Sequence, residues 1–74
     1  MKEILARNLK LIRKVKRINQ VDFAKGCGIS LETLATIEKQ KANPKISTLQ
    51  KIAKYAGCNM PELLKKEGNL NLNM

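Results

Sequence analysis

The tetrapeptide Cys27-Gly28-Ile29-Ser30 is the feature that most constrains how this chain can fold. Glycine readily takes the left-handed conformation that ends many helices, and serine is a preferred helix N-cap. One helix therefore ends and another begins with only Ile29 fully between them. Helices joined by so short a turn cross near a right angle. Apolar side chains placed to pack in that crossing are Phe23, Cys27, Ile29, Leu34 and Ile37.

Helix start and stop signals predict five helices with little loop between them. Residues 2–17 place Leu5, Leu9 and Ile12 along one side of a helix whose other side is basic. A second helix is predicted at 20–27 with Asn19 as its N-cap, and a third from Ser30 to about 39. Two more are predicted from a Ser47-x-x-Gln50 capping box to about 56 and after an Asn59-x-x-Glu62 box. No useful β alternation occurs, so the predicted fold class is all-α.

The length of 74 residues predicts a single small domain over residues 1–66. Residues 67–74 are expected to form a short tail that is frayed or takes part in a dimer contact. An apolar fraction of 43% suits a folded globule. A chain of this size has little room for an enclosed substrate pocket.

The charge of the chain favours an anionic partner. Lys and Arg number 15 against 6 Asp and Glu, which gives a net charge of +9. Seven of the basic side chains, and one acidic one, fall in residues 1–17. Nucleic acid is the first expectation, followed by an acidic membrane surface and an acidic protein.

Metal binding and catalysis are not expected. Cys27 and Cys58 are far apart and the chain has no histidine, so a zinc site lacks ligands. We expect both cysteines to pack as small hydrophobes, as in a reducing cytoplasm. Ser30 and Ser47 are accounted for as helix caps, and no glycine-rich phosphate loop is present. No cofactor, signal peptide or membrane span is predicted.

Five segments, in order, resemble one family. They are Arg13 after the Leu9/Ile12 stripe, then NQVDFAKGCGIS, LATIEKQK, NPKISTLQKIAKYAG and MPELL. Together they are similar to the Cro/repressor-type (XRE) helix-turn-helix regulators, from about Leu5 to Leu64. The resemblance implies a compact five-helix, lambda-repressor-like DNA-binding domain with its helix-turn-helix at helices 2 and 3. Gln40 departs from the family, which commonly has glycine where the recognition helix ends.

A helical projection of the third helix separates two faces. With Leu34 set inward, Ile37, Ser30 and Glu38 fall on the buried side. The residues that face away are Glu32, Ala35, Thr36 and Lys39, and this row would enter a major groove. Leu31 lies at the boundary, where it either covers the core or touches a thymine methyl.

The resemblance also implies roles for individual residues. Ser30, Leu31, Glu32 and Thr36 match base- or phosphate-reading positions, although Glu32 could equally be a first-turn acid favoured by the helix dipole. Gln20 matches a phosphate contact at the start of the second helix. Arg13 and Glu38 match an internal ion pair. Lys39, Lys41, Asn43 and Lys45 cluster after the recognition helix and would hold the flanking backbone.

These expectations lead to a DNA-binding transcriptional regulator, acting as a repressor and as a homodimer. The dimer contact is assigned to Met60, Leu63 and Leu64, with Leu70 and Leu72 of the tail as possible additions. One alternative is an antitoxin-like regulator on the same fold that binds a protein partner. The other is a membrane-surface module built on the basic first helix.

Overall fold

Five α-helices make up the part of the chain that the computed structural model describes, residues 2–65. In chain order they are α1 (Lys2–Lys16), α2 (Gln20–Cys27), α3 (Leu31–Glu38), α4 (Ile46–Ala56) and α5 (Met60–Leu63). No strand occurs among these residues. The all-α fold class predicted from the sequence is confirmed.

The core is formed by one apolar side of each helix. α1 packs against α3 and α5, α2 packs against α3 and α4, and α4 packs against α5. The helix-turn-helix is thus enclosed by helices from both ends of the domain. The largest fully buried apolar side chains of the core are Phe23, Leu9, Ile12, Leu34, Ile52 and Leu63.

A residue in the left-handed region follows each of the first four helices. Gly28 (φ 78°) and Gly57 (φ 79°) follow α2 and α4, whereas Arg17 (φ 57°) and Gln40 (φ 63°) follow α1 and α3. After α3, the Lys41 N–H donates to the Thr36 carbonyl at 3.1 Å, and the Gln40 N–H donates to Ile37 at 3.0 Å. This paired arrangement satisfies carbonyls that a helix end would otherwise leave open.

The N-termini confirm three of the predicted caps and correct one. Asn19, Ser30 and Asn59 accept hydrogen bonds from the backbone N–H groups of Asp22, Thr33 and Glu62. The Ser47-x-x-Gln50 capping box is wrong. α4 already begins at Ile46 after an extended Lys45 (ψ 157°), which makes no side-chain cap. Ser47 is therefore inside the first turn, where its backbone is helical and cannot act as a cap.

A buried amide ties α1 to α5. Asn8 is fully buried, and its Nδ2 donates to the carbonyls of Leu63 at 2.7 Å and Lys65 at 3.1 Å. Its Oδ1 accepts from the Arg7 guanidinium. Because the last carbonyls of a helix lack partners within the helix, this side chain supplies what α5 needs at its C-terminus.

Both cysteines are free thiols, and Cys27 lies in the core. Burial raises the pKa of the Cys27 thiol to about 11. The pKa of Cys58 is also raised, first by burial and then by the nearby Glu62 carboxylate, against an opposing effect of Lys16. Packing as small hydrophobes, predicted from the sequence, is confirmed.

Candidate nucleic-acid interface

The helix-turn-helix is closed by the turn at Gly28. The Gly28 N–H donates to the carbonyls of Ala24 and Lys25, and the Ile29 N–H donates to Ala24 at 3.0 Å. Ile29 packs against the core from within the turn. Ser30 then caps α3 with an extended backbone (ψ 152°). Three consecutive residues, Gly28 to Ser30, thus end α2 and start α3.

One side of α3 packs against the core, and the opposite side faces solvent. Leu34 is 0% exposed, Ile37 2% and Glu38 3%. On the opposite side Glu32 and Lys39 are exposed, and Ala35 and Thr36 are half-buried. The row predicted to face away from the core therefore reaches solvent.

The residues at the N-terminus of α3 are also accessible. Leu31 is 44% exposed, so it does not serve mainly as a cover for the core. Ser30 is exposed as well, contrary to its predicted place on the buried side. The helical projection fails for Ser30 because an N-cap residue has extended rather than helical backbone angles.

An open groove of about 550 Å³ runs between α3 and the segment that leads into α4. Hydroxyl, amide and ammonium groups line much of it, together with a few apolar side chains. A concave surface beside an exposed helix suits a partner that wraps around that helix. Lining residues include Ser30, Glu32, Thr33, Thr36, Asn43 and Lys45.

Hydroxyl groups on α3 bond to one another and to the backbone. The Ser30 hydroxyl accepts from the Thr33 N–H at 3.0 Å and donates to the Thr33 hydroxyl at 2.7 Å. The Thr36 hydroxyl donates to the Glu32 carbonyl at 2.7 Å. These bonds fix the orientation of the polar side chains before any partner arrives.

Beneath this surface, an ion pair joins α1 to α3. Arg13 Nε lies 2.7 Å from Glu38 Oε2, and Arg13 Nη2 lies 2.8 Å from Glu38 Oε1. This bidentate geometry is the strong form of an arginine–carboxylate pair. Hydrogen bonding to Glu38 raises the pKa of Arg13, with a smaller opposing effect of burial.

Gln20 extends the ion pair to α2. Its Nε2 donates to Glu38 Oε1 at 3.1 Å. One amide N–H is thereby committed to the interior, and the second N–H and the carbonyl oxygen remain. Glu38 thus links α1, α2 and α3, and it orients the side chain at the N-terminus of α2.

Comparisons with known proteins agree with this geometry. A family model described as helix-turn-helix matches residues 9–63. The control protein C.SmaI of Serratia marcescens is 31% identical over 71 residues, which cover 96% of this chain and 84% of the relative. The immunity repressor of Bacillus phage phi105 is 32% identical over 63 residues, covering 85% of this chain and 44% of the repressor.

A solved structure shows the same arrangement of helices. The crystal structure of the hypothetical transcription factor NHTF from Neisseria aligns with a TM-score of 0.81 at 28% identity, covering 86% of this chain and 74% of that one.

The chain belongs to the Cro/repressor-type (XRE) helix-turn-helix family.

As a member of the XRE family, this chain is a DNA-binding regulator of transcription, and the family is regulatory rather than enzymatic. Within residues 2–65 no group of three or more His, Cys, Asp or Glu side chains could hold a metal ion. None of the helices described is long and apolar enough to span a membrane.

Next to the recognition helix of this XRE protein lies a basic segment. Lys39, Lys41, Asn43 and Lys45 are all exposed, and residues 39–45 contain no acidic side chain. The uncapped N-terminus of α4 directly follows them. The segment therefore offers cations and free backbone N–H groups along one edge of the groove.

The predicted dimer contact requires a correction at Leu63. That side chain is 0% exposed and belongs to the core of its own chain, so it is not available to a second copy. The spacing of residues in the sequence does not predict this burial, because either Leu63 or Leu64 can face the core at the end of so short a helix. Met60 and Leu64 are partly buried and pack at the edge of the core. Leu70 and Leu72 lie outside the described residues.

Sequence reasoning also overlooked two residues. Thr33 lines the groove and bonds Ser30, and its spacing of three from an N-cap serine was the available signal. Asn8 is a polar residue three positions after Leu5 and four before Ile12, so it falls on the apolar side of α1. A polar residue on that side predicts a buried hydrogen-bonded contact.

Proposed function

We propose that this XRE-family chain represses transcription by binding operator DNA as a homodimer, with α3 in the major groove. The observation that carries the proposal is the two-sided environment of α3. Leu34, Ile37 and Glu38 fix the helix to the core while its opposite side stays open to solvent. A major groove admits one α-helix presented in this way.

Base contacts are assigned to the outward side of α3. Glu32 can accept from a cytosine amino group, and Leu31 and Ala35 can contact thymine methyl groups. Thr36 and Ser30 complete this set of contacts at the same side of the helix. The N-terminal residues of a recognition helix are the ones nearest the base edges.

Phosphate contacts are assigned to groups at the edges of the groove. Lys39, Lys41, Asn43 and Lys45 are exposed together beside α3. At the N-terminus of α2, the anchored amide of Gln20 keeps one N–H for a phosphate oxygen. Contacts of this kind set register and affinity without reading sequence.

The names of relatives favour repression. One is a phage immunity repressor, and another is the cryptic phage transcriptional repressor RstR of Vibrio cholerae. A repressor acts by occupying its operator. Two-fold symmetric half-sites should then lie about one helical turn apart, ~34 Å.

The first experiment is selection of bound duplexes from a random pool, followed by affinity measurements over a range of salt concentrations. We expect one enriched, two-fold symmetric sequence. Each phosphate contact that is lost should reduce the slope of log affinity against log salt by about 0.9. The triple variant Lys39→Ala, Lys41→Ala, Lys45→Ala should show a clearly reduced slope.

Lys10 and Lys54 provide the matched control, because both are exposed but lie on α1 and near the C-terminus of α4. Their alanine variants should keep the wild-type slope. An equal reduction per lysine removed in both sets would place the DNA elsewhere on the surface. Failure to enrich any duplex at low ionic strength would contradict the proposed function itself.

The homodimer is tested separately by sedimentation. Met60 and Leu64 are the remaining candidates on α5 for contact with a second copy. Met60→Asp should shift the chain toward monomer. It should also weaken operator binding, because a monomer cannot bind two half-sites at once. A wild-type chain that is monomeric at tens of micromolar, with and without operator, would rule out the dimer.

A further inference from the structure

We infer that the base-reading face of α3 presents only hydrogen-bond acceptors and apolar groups, so it recognises operator bases by amino and methyl groups. The inference rests on the proposed DNA-binding function and specifies its chemistry. This reading face comprises the N-cap of α3 and the outward residues of the helix as far as Thr36: Ser30, Leu31, Glu32, Ala35 and Thr36.

Thr36 has no proton left to donate. Its hydroxyl oxygen lies 2.7 Å from the backbone carbonyl oxygen of Glu32. A carbonyl oxygen can only accept, so the single hydroxyl proton of Thr36 must lie in this bond. The lone pairs and the methyl group of Thr36 are what remain for a base.

Ser30 is committed in a similar way. Its hydroxyl accepts from the Thr33 N–H and donates its proton to the Thr33 hydroxyl. Ser30 therefore offers a partner only a remaining lone pair. Thr33 keeps its own proton, but it falls outside the row of Glu32, Ala35 and Thr36 that faces away from Leu34.

The remaining residues of the reading face add no donor. Glu32 is exposed, and no side chain of the described residues pairs with its carboxylate. An ionised carboxylate accepts hydrogen bonds and donates none. Leu31 and Ala35 have apolar side chains. Arginine, lysine, asparagine and glutamine, the usual partners of purine N7, are absent from this face.

This arrangement limits which base atoms can be bound. Guanine shows only acceptors in the major groove, N7 and O6, whereas adenine and cytosine show amino donors at N6 and N4. Every base pair carries one such amino group, on one of its two strands. Acceptors at fixed positions therefore read which strand carries the amino group. Contacts of Leu31 and Ala35 with the thymine methyl would distinguish A·T from G·C.

Donors and acceptors are thus separated in space. Lysines flank the reading face and suit phosphate, and acceptors occupy its centre and suit base amino groups. The positive charge around Glu32 offsets the repulsion between its carboxylate and the DNA backbone. Sequence preference and overall affinity consequently come from different side chains.

The test is a functional-group scan of the selected duplex with the full chain. Adenine is replaced by 2′-deoxynebularine and cytosine by pyrimidin-2-one, which removes the amino group. In a parallel series, 7-deazapurines remove N7. Affinity is measured by fluorescence anisotropy, and the same replacements outside the half-sites correct for effects on the duplex itself.

We expect amino-group removal to weaken binding about tenfold or more at one or more base pairs in each half-site. Removal of N7 should change affinity by less than about twofold. In Thr36→Val the amino-group penalty should disappear at one base pair. In Thr36→Ser, which keeps the hydroxyl, the penalty should persist.

Three results would overturn the inference. The first is a large loss of affinity on N7 removal with no loss on amino-group removal. The second is no loss of affinity in either series. The third is a pattern of amino-group penalties that does not change in Thr36→Val. All three are obtained on a duplex that the chain prefers, so they leave the proposed function standing. A chain with no preferred duplex would instead overturn the proposed function, and the inference with it.

Discussion

Gln40 holds a backbone conformation that suits glycine better. Its φ of 63° lies in the left-handed region, and its side chain is exposed. Left-handed angles cost a residue with a Cβ atom roughly 1–2 kcal/mol. We expect Gln40→Gly to raise the free energy of unfolding by about 0.5–1 kcal/mol, after the greater chain entropy of glycine is counted.

Urea denaturation measures this change, and Gln40→Ala is the matched control. Alanine removes the same side-chain atoms but keeps the Cβ, so it should bring no comparable gain. Equal stabilisation by alanine and glycine would show that the side chain, not the backbone, was unfavourable.

Cys27 makes stability depend on alkaline pH. Its pKa is raised to about 11 in the folded chain because burial disfavours the thiolate. An unfolded thiol ionises near pH 8.5. Between these two values the unfolded chain releases the proton first, so the free energy of unfolding falls as pH rises. Below pH 8 the thiol is neutral in both states and its contribution is constant.

Cys27→Ala isolates this contribution from other groups that titrate at high pH. We expect the stability difference between wild type and variant to shrink between pH 8.5 and 10.5, measured by chemical denaturation at each pH. A difference that stays constant over this interval would mean that the thiolate is tolerated where the thiol lies.

At the scale of the helices, the predictions that rest on local chemistry were the most successful. Gly28 and Ser30 act through their own backbone angles and a cap three residues away, so they could be predicted from sequence. The start of α4 could not be predicted in this way, because the extended residue before that helix is Lys45 and not Ser47. Leu63 also failed, since only the packing of the other helices decides which side of α5 is buried.

The glycine inside α2 illustrates a contact that sequence could not supply. A Cβ at Gly26 would overlap the ring of Tyr55 on α4. That ring also makes an edge-to-face contact with Phe23, with centroids 5.4 Å apart. Glycine in this helix costs up to about 1 kcal/mol against alanine, and the close approach of α4 explains why it is present.

A double-mutant cycle tests this explanation. In the wild type, Gly26→Ala should lower stability because the Tyr55 ring is displaced. In a Tyr55→Ala background the same change should raise stability by about 0.5–1 kcal/mol through helix propensity. Thermal or urea unfolding gives all four values, and additive effects would show that Gly26 and Tyr55 are not in contact.

Removal of either partner of the ion pair between α1 and α3 should lower stability, but by unequal amounts. Glu38 is 3% exposed on its side chain, while Arg13 is 21% exposed. Removing Arg13 leaves a buried carboxylate with only Gln20 as a partner, and we expect Arg13→Met to cost about 3 kcal/mol. Glu38→Gln should cost less, because the arginine can turn toward water.

The double variant Arg13→Met, Glu38→Met serves as the comparison. Because it removes both charges, it should be more stable than Arg13→Met alone. Denaturation curves measure the order of stability among these variants. A double variant less stable than either single one would mean that packing around the pair, and not the unpaired charge, determines the cost.

For the whole molecule, the sequence predicts the class of function better than the contacts that carry it out. The family and the all-α fold follow from spaced helix signals, most of which depend on neighbouring residues alone. The roles of Asn8 and Thr33, and the protons committed by Ser30 and Thr36, depend on distances between side chains. Those distances are set only once the helices have packed.

Titration of the ¹⁵N-labelled chain with its selected duplex is the most direct test of the central claim, that the open side of α3 faces DNA. We predict that the largest amide shifts fall in residues 30–36 and 41–46, with smaller shifts at the N-terminus of α2. Amides on the outer side of α1, near Arg7 and Lys10, should be unaffected by the duplex. Shifts concentrated on α1 or around Tyr55, with residues 30–36 unchanged, would contradict the account.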